Sequence, residues 1–272
     1  MRRALILGPG GLQGAYGGGV VATLGYKLGC DFFDSVYACS AGAYTASYFL
    51  SSQPEMVEKI WRECVHSELL IRWKNLFKKG QPILELFYLN NVLRSKNFLL
   101  NTEALLHSRT SFELVATDFE TGYPQYFSPR TKDEFFLQVR ASAAVPFFHP
   151  FVVMGGRRYV DGVFSDPFPI QKAIADGHDE IIIVCNKSEI NFSSTDFLIL
   201  SLLAQGSRNR RHIVNTLWEM RRIKRLIESC RISIRVIAPS QDSVIRWNFD
   251  SAKIRINRLV DLGIQDALTF LG

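Results

Sequence analysis

The stretch that decides the fold is Ala4-Leu5-Ile6-Leu7-Gly8-Pro9-Gly10-Gly11-Leu12-Gln13-Gly14. Its first four residues form a short apolar run closed by glycine, which is typical of a buried parallel strand. A helix is predicted to begin near Gly14. Backbone N–H groups at Gly10 and Gly11 can face outward, and the positive end of the helix adds to their attraction for an anion. The segment alone leaves open an oxyanion pocket, a dinucleotide phosphate loop and a tight structural turn.

A second strand-to-helix junction surrounds a serine. Val36-Tyr37-Ala38 predicts the end of a strand, and residues 43–50 predict a helix. Ser40 then lies on the sharp turn of a nucleophile elbow, where small neighbours expose the serine and the N–H of Ala41 faces a developing oxyanion. The alternative is a serine that caps the helix beginning at Ala41.

An aspartate ends a third predicted strand. Residues 157–163 are β-like, and Asp161 precedes Gly162 at their end. The carboxylate can therefore project toward a serine on another strand, although Asp-Gly is also a common turn dipeptide. A serine nucleophile needs a base and fixed N–H donors for the charge on the carbonyl oxygen. The three segments together supply a serine nucleophile, a carboxylate base and backbone N–H donors.

In this order the motifs resemble the patatin-like phospholipase family. The resemblance implies that Ser40 is the nucleophile and Asp161 the general base of a two-residue dyad, with Gly10, Gly11 and Ala41 as the oxyanion hole. Gln13, Pro146 and His149 are candidates for lining the pocket, although the prolines and aromatic residues around His149 favour a packed loop. The correspondence rests on Gly10-Gly11-Leu12-Gln13-Gly14, Ser40-Ala41-Gly42, Ala141-Ser142-Ala143-Ala144-Val145-Pro146 and Asp161-Gly162.

The resemblance also implies a fold and an activity. The fold is a three-layer α/β arrangement with a mostly parallel central sheet flanked by helices. The activity is a serine acyl-ester hydrolase of the lipase or phospholipase A type, which releases fatty acid from membrane lipid through an acyl-serine intermediate. No metal and no cofactor are expected.

Three positions depart from the family pattern: Gln13 replaces arginine, Ala38 replaces the first elbow glycine, and Val163 follows Asp-Gly. Because alanine is costly at positive φ and Gln13 removes a cation near the glycine loop, the alternative is a catalytically weak or inactive lipid-binding relative. A nucleotide-binding oxidoreductase is the weaker one, since the sequence contains no Tyr-x-x-x-Lys. An ordinary serine hydrolase uses histidine as its base, but the dyad needs none, and we expect His66, His107 and His178 to be solvated.

Length and composition predict one large domain. The 272 residues are 47% hydrophobic and contain no Pro/Ser-rich linker. We expect a single domain over residues 1–272, with its core motifs within 4–175 and a mostly helical portion over 190–272. Strands are predicted at 3–8, 35–38, 111–118, 123–128, 151–160 as a hairpin around Gly155-Gly156, 180–185 and 232–238, and a helix at 252–271.

The sequence also bears on partners and location. Residues 68–100 mix aromatic residues with lysines, which favours either helical packing or a lid at a lipid-entry site.

The chain carries 32 basic and 26 acidic residues. A basic face can dock on anionic lipid or be merely solvated, and nucleic acid is not expected because no nucleic-acid module accompanies the charges. The basic excess is concentrated in Arg208, Arg210, Arg211, Arg221, Arg222, Lys224, Arg225, Arg231 and Arg235.

The five cysteines lack the spacing of a disulfide framework or a zinc site, which favours a reducing compartment. The apolar run after Met1-Arg2-Arg3 is too short for a signal peptide. We therefore expect a cytoplasmic protein that acts on a lipid or other acyl ester and contacts a membrane only peripherally. The sequence leaves the oligomeric state open.

Overall fold

The computed structural model describes residues 1–78, 80–188, 214, 227–228, 232–240 and 251–272. Three-residue or five-residue 3-10 helices occur at Gly11–Gln13, Trp73–Phe77, Lys96–Phe98 and Gly162–Phe164. The strands are β1 (Arg3–Leu7), β2 (Ser35–Cys39), β3 (Ser111–Asp118), β4 (Pro124–Phe127), β5 (Val152–Met154), β6 (Arg157–Asp161), β7 (Glu180–Val184) and β8 (Ser233–Ile237). The helices are α1 (Gly14–Leu28), α2 (Ala41–Leu50), α3 (Pro54–Glu63), α4 (Leu86–Val92), α5 (Thr102–Leu106), α6 (Lys132–Ser142), α7 (Ile170–Ala175) and α8 (Lys253–Leu271).

The strands form one eight-stranded sheet whose hydrogen-bonded path is β5-β6-β3-β2-β1-β7-β8, with β6 and β2 on successive stretches of one edge of β3 and β4 on its other edge. Strands β3, β2, β1, β7 and β8 run parallel to one another. The pairs β3–β4, β3–β6 and β5–β6 are antiparallel. Each predicted strand is present with ends within one residue of the prediction, as is the helix predicted at 252–271. The expectation of a mostly parallel central sheet flanked by helices is confirmed.

Two apolar cores cover the two faces of the sheet. Along β1, Leu5 and Leu7 contribute to one core, and Ala4 and Ile6 to the other. Because successive side chains of a strand point to opposite faces, an unbroken apolar run is buried on both sides. Helices α1, α2, α3, α4, α6 and α8 contribute to the first core, and α7 contributes to the second.

One prediction about the surface is wrong. His178 is 2% exposed, and its Nδ1 and Nε2 atoms lie 2.9 Å from the carbonyl oxygen of Ala173 and the hydroxyl of Ser35. The imidazole links the end of α7 to the start of β2, so His178 is a buried structural residue.

The predicted basic cluster at 208–231 lies outside the described residues, and Arg235, on β8, forms an ion pair with Glu180. In the ranges described, no helix is both long enough and apolar enough to cross a bilayer.

Helix α8 packs closely against α1 at two glycines. A Cβ atom on Gly263 would overlap the carbonyl oxygen of Tyr16, and one on Gly19 would overlap the carbonyl oxygen of Val260. The Tyr16 hydroxyl also donates a hydrogen bond to Asp266 at 3.1 Å. The contact fixes α8 beside the helix that follows the glycine loop. The extent of the single domain over residues 1–272 stays a prediction.

We expect Gly263→Val to lower the free energy of unfolding by about 1–3 kcal/mol, because the added methyl groups would push α8 away from α1. Urea unfolding followed by circular dichroism measures the change. Gln265→Ala, on the exposed side of α8, is the matched control and should change stability by less than about 0.5 kcal/mol. Equal stabilities for the two variants would contradict the close helix contact.

Candidate active site

Ser40 occupies the turn between β2 and α2 in a strained backbone conformation, with φ 56° and ψ −123°. Such a conformation costs a non-glycine residue about 1–3 kcal/mol and is concentrated at functional sites. The side chain makes no capping hydrogen bond to α2. Its Oγ instead donates to Oδ2 of Asp161 at 2.7 Å. The helix-capping interpretation is therefore wrong, and the serine lies on a strand-to-helix turn with its hydroxyl directed at Asp161.

The alanine at the first elbow position carries no backbone strain. Ala38 lies within β2, opposite Leu7 on one side and Leu114 on the other. Among the described non-glycine residues, positive φ occurs at Ser40, Ser52 and Phe147. The penalty expected for alanine at positive φ thus does not arise, and the small Ala38 side chain is fully buried in the first core.

Asp161 reaches Ser40 because β2 and β6 lie end to end on one edge of β3. Strand β2 pairs with β3 in parallel as far as Cys39, opposite Val115. Strand β6 pairs with β3 in the antiparallel sense and ends at Asp161, opposite Ala116. Strand β4 pairs with residues 114–117 and so occupies the other edge. The final residues of β2 and β6 therefore face each other.

The carboxylate of Asp161 is 1% exposed. Its Oδ1 atom accepts hydrogen bonds from the Val163 N–H at 2.9 Å and from the Cys39 thiol at 3.7 Å. Burial raises the pKa of Asp161 to about 7 because it disfavours the charged form, while the hydrogen bonds from Val163, Ser40 and Cys39 act in the opposite direction. Since Val163 contributes its backbone N–H, its departure from the family pattern leaves this contact intact.

Residues 142–144, at the end of α6, hold both members of the pair. The Ser40 N–H donates to the carbonyl oxygen of Ser142 at 3.2 Å and to its hydroxyl at 3.1 Å. The Asp161 N–H donates to the carbonyl oxygen of Ala144 at 3.0 Å. On the opposite side, the Thr117 hydroxyl donates to the Asp161 carbonyl at 2.8 Å. The Ala-Ser-x-x-x-Pro stretch therefore fixes the backbone of the pair.

Asn186, which was not predicted from the sequence, holds the glycine loop. Its Nδ2 atom donates to the carbonyl oxygens of Gly8 at 3.0 Å and Pro9 at 3.1 Å, and its Oδ1 atom accepts from the Gly17 N–H at 2.9 Å. A Cβ on Gly10 would lie 2.8 Å from that of Asn186. The amide side chain thus fastens the loop to α1. The only sequence signal is a polar residue just after a strand that neighbours β1.

The glycine loop lies beside the elbow. Gly11 opens the 3-10 helix Gly11–Gln13 and Ala41 opens α2, and the first N–H groups of a helix have no acceptor within it. A Cβ on Gly14 would lie 2.8 Å from that of Ala41, so the starts of α1 and α2 are in contact. Two helix N-termini next to Ser40 favour negative charge there.

The three residues expected to line a pocket are buried in different surroundings. Gln13 ends the 3-10 helix after the loop, and Pro146 follows the 142–144 segment. His149 Nδ1 lies 2.8 Å from the carbonyl oxygen of Leu84, and burial lowers its pKa to about 4. In the described part of the chain, His149 forms no hydrogen bond with the serine–aspartate pair. Its place in a pocket stays a prediction.

The arrangement can transfer a proton from a serine hydroxyl to a buried carboxylate beside backbone N–H donors. Across residues 1–78, 80–188 and the shorter described segments, no cluster of His, Cys, Asp or Glu is arranged to hold a metal ion. The serine–aspartate pair and the glycine loop bring a hydroxyl, a buried carboxylate and backbone N–H donors together.

Comparison with known proteins agrees with the fold and the motifs. The uncharacterized protein YjjU of Escherichia coli (strain K12) is 30% identical over 187 residues, which are 67% of this chain and 51% of YjjU, so the chain spans about half of that relative. The crystal structure of VipD from Legionella pneumophila has a TM-score of 0.57 at 14% identity, covering 99% of this chain and 66% of VipD, and supports the fold alone. The patatin-like phospholipase family matches residues 5–174, and the chain belongs to that family.

Proposed function

We propose that the protein is a serine acyl-ester hydrolase that cleaves lipid esters with a dyad of Ser40 and Asp161. The observation that carries the proposal is the 2.7 Å hydrogen bond from Ser40 Oγ to the buried carboxylate of Asp161. Membership of the patatin-like phospholipase family supports lipid acyl hydrolysis in general. It also favours an oxyanion role for the glycine loop over a dinucleotide-binding role.

In the acylation step, Asp161 Oδ2 takes the proton of Ser40 as Oγ attacks the ester carbonyl carbon. The carbonyl oxygen becomes an oxyanion, which the N–H groups of Gly10, Gly11 and Ala41 are proposed to bind. When the tetrahedral intermediate collapses, the C–O bond to the alcohol breaks, and the alcohol oxygen receives the proton from Asp161. The products of this step are a free alcohol and an acyl-Ser40 ester.

In the deacylation step, Asp161 takes a proton from a water molecule that attacks the acyl-Ser40 carbonyl. Collapse of the second tetrahedral intermediate returns that proton to Ser40 Oγ and releases the fatty acid. Neither step requires a metal, a cofactor or a histidine. We propose that the substrate is a lipid ester met at a membrane surface on the cytoplasmic side, with peripheral contact and no role for nucleic acid.

We expect Ser40→Ala and Asp161→Asn each to lower kcat/KM for a soluble chromogenic ester at least about 10³-fold. Ser40→Ala should also abolish labelling by a fluorophosphonate, with the adduct on the wild type located at Ser40 by mass spectrometry. Asp133→Asn, an exposed carboxylate change on α6, is the control and should leave both readouts unchanged. A folded wild type that neither labels nor turns over would favour the inactive lipid-binding relative.

The pH profile follows from the buried carboxylate. A general base acts in its deprotonated form, so kcat/KM should rise as pH increases through the Asp161 pKa of about 7 and level off above it. The measurement is kcat/KM for a soluble ester between about pH 5.5 and 9, a window set by that pKa. A flat profile across this range would contradict the role of Asp161 as the titrating base.

The contacts of Asn186 support a positioning role in the same reaction. Both hydrogens and the oxygen of its side-chain amide form hydrogen bonds with the backbone of residues 8–17. If the loop loses this amide, the carbonyls of Gly8 and Pro9 lose buried donors, and the Gly10 and Gly11 N–H groups lose their fixed direction. Misdirected donors reduce the stabilisation of the transition state, where the oxyanion is formed, more than the binding of the ground-state ester.

We expect Asn186→Ala to lower kcat about 10²-fold, similar to the loss of an oxyanion donor, with KM changed less than about threefold. Asn186→Asp keeps the acceptor for the Gly17 N–H but removes the donors to Gly8 and Pro9, so it should lose kcat as well. Thermal unfolding shows whether each variant is folded. Equal kcat for the wild type and both folded variants would contradict the positioning role.

A further inference from the structure

The 3-10 helix Trp73–Phe77 exposes its apolar side chains and buries an amide side chain. Of its two polar residues, Lys74 is exposed, whereas Asn75 is buried and donates from Nδ2 to the Pro82 carbonyl at 2.7 Å. Its apolar residues face outward: Trp73 is 44% exposed, Leu76 49% and Phe77 88%. Ordinary folding buries apolar side chains and exposes amides. A contiguous exposed apolar surface of this kind marks an interaction site.

Two further exposed aromatic residues lie on segments joined to this helix. Phe87, at the start of α4, is 56% exposed, and Phe147 is 72% exposed. Phe147 has φ 72°, which is an outlier for a bulky residue and points to a function for its outward ring. We define the apolar lip as Trp73, Leu76, Phe77, Phe87 and Phe147.

Hydrogen bonds and ring contacts join the two sides of the apolar lip. The Phe148 carbonyl accepts from the N–H groups of Ile83 at 2.9 Å and Leu84 at 2.8 Å. The Phe148 ring lies 6.2 Å from that of Trp73 and 5.8 Å from that of Phe147, between centroids. The apolar side chains therefore surround one fixed backbone junction.

Positive charge accompanies the apolar lip. Lys74 and Lys78 are exposed on the same short helix and its end, and neither forms an ion pair with any residue that the structure describes. The Arg140 guanidinium lies 3.9 Å from the centroid of the Phe87 ring. Exposed aromatic side chains interspersed with unpaired lysines fit the boundary between acyl chains and anionic headgroups.

We propose that the apolar lip docks this protein on an anionic lipid bilayer. Phe147 lies three residues beyond Ala144, whose carbonyl oxygen holds the Asp161 backbone, so the docked surface is continuous with the segment that fixes the dyad. The inference rests on the proposed function, since it states where a lipid ester would enter. A second copy of the chain fits less well, because an isologous interface through the lip would bring like-charged lysines together.

The test measures binding of the full chain to vesicles of mixed phosphatidylglycerol and phosphatidylcholine, and to vesicles of phosphatidylcholine alone. Binding is measured in a Ser40→Ala background, so that the lipid stays intact. The variant is Leu76→Ser with Phe77→Ser. Tyr26→Ser is the matched control, because Tyr26 is 58% exposed near the C-terminal end of α1, the end away from the glycine loop. Hydrolysis of a soluble ester is measured separately with Ser40 present.

We expect the double variant to lose at least tenfold in partitioning to the phosphatidylglycerol vesicles, and Tyr26→Ser to bind like its parent. Lys74→Gln with Lys78→Gln should reduce the preference for phosphatidylglycerol. Hydrolysis of the soluble ester should stay within twofold in all three. Loss of vesicle binding in a protein that hydrolyses no ester would support docking while refuting the proposed function.

Equal vesicle binding by the parent and the double variant would overturn the proposal, and so would no binding by the parent. If the parent that does not bind vesicles self-associates, as seen by light scattering, and the double variant relieves this, a second copy is the occupant of the apolar lip.

Discussion

Strand β3 carries two strands end to end on one edge, and the candidate site depends on that junction. Cys39 ends β2 opposite Val115, and Asp161 ends β6 opposite Ala116. Neither strand can shift along β3 by one residue without turning its buried side chains to the other face. The distance between Ser40 and Asp161 is therefore set by main-chain pairing in the core rather than by a mobile loop, which gives the pair the rigid support that an active site requires.

Much of this arrangement could be predicted from local sequence. The apolar runs at β1 and β7 identify buried parallel strands, because only strands covered on both faces remain unbroken in hydrophobicity. The glycine loop, the serine between a strand and a helix, and the aspartate before Gly162 each stand at a strand end. The parallel strands β1 and β2 present their carboxyl ends at one edge, which accounts for the nearness of the glycine loop and the serine. The strands and the fold class follow from these short-range patterns.

Contacts between residues that are distant in sequence could not be predicted in the same way. The antiparallel β6 meets β2 through pairing with β3, which no periodicity in residues 157–161 reveals. Asn186 acts on residues 8–17 across the sheet, and His178 is buried because the Ser35 hydroxyl meets its ring. In each case a polar side chain is satisfied by a partner distant in sequence. Asn75 is also buried with its polar group satisfied, since its Nδ2 donates a hydrogen bond to the Pro82 carbonyl, while its apolar neighbours stay exposed.

Two features of the site are energetically unfavourable, and favourable packing in the surrounding core must offset their cost. Ser40 is held at φ 56°, and Asp161 has a pKa of about 7 because its charge is poorly solvated. Isolated strands would relax both, by rotating the serine backbone or by exposing the carboxylate to water. Residues 142–144 prevent both movements, because they bind the N–H groups of Ser40 and Asp161 at once. The same segment leads directly to Phe147, so the strain at the dyad and the outward ring of the apolar lip are imposed by one stretch of backbone. The proposed dyad and the proposed docking surface are therefore joined by the backbone segment that follows α6.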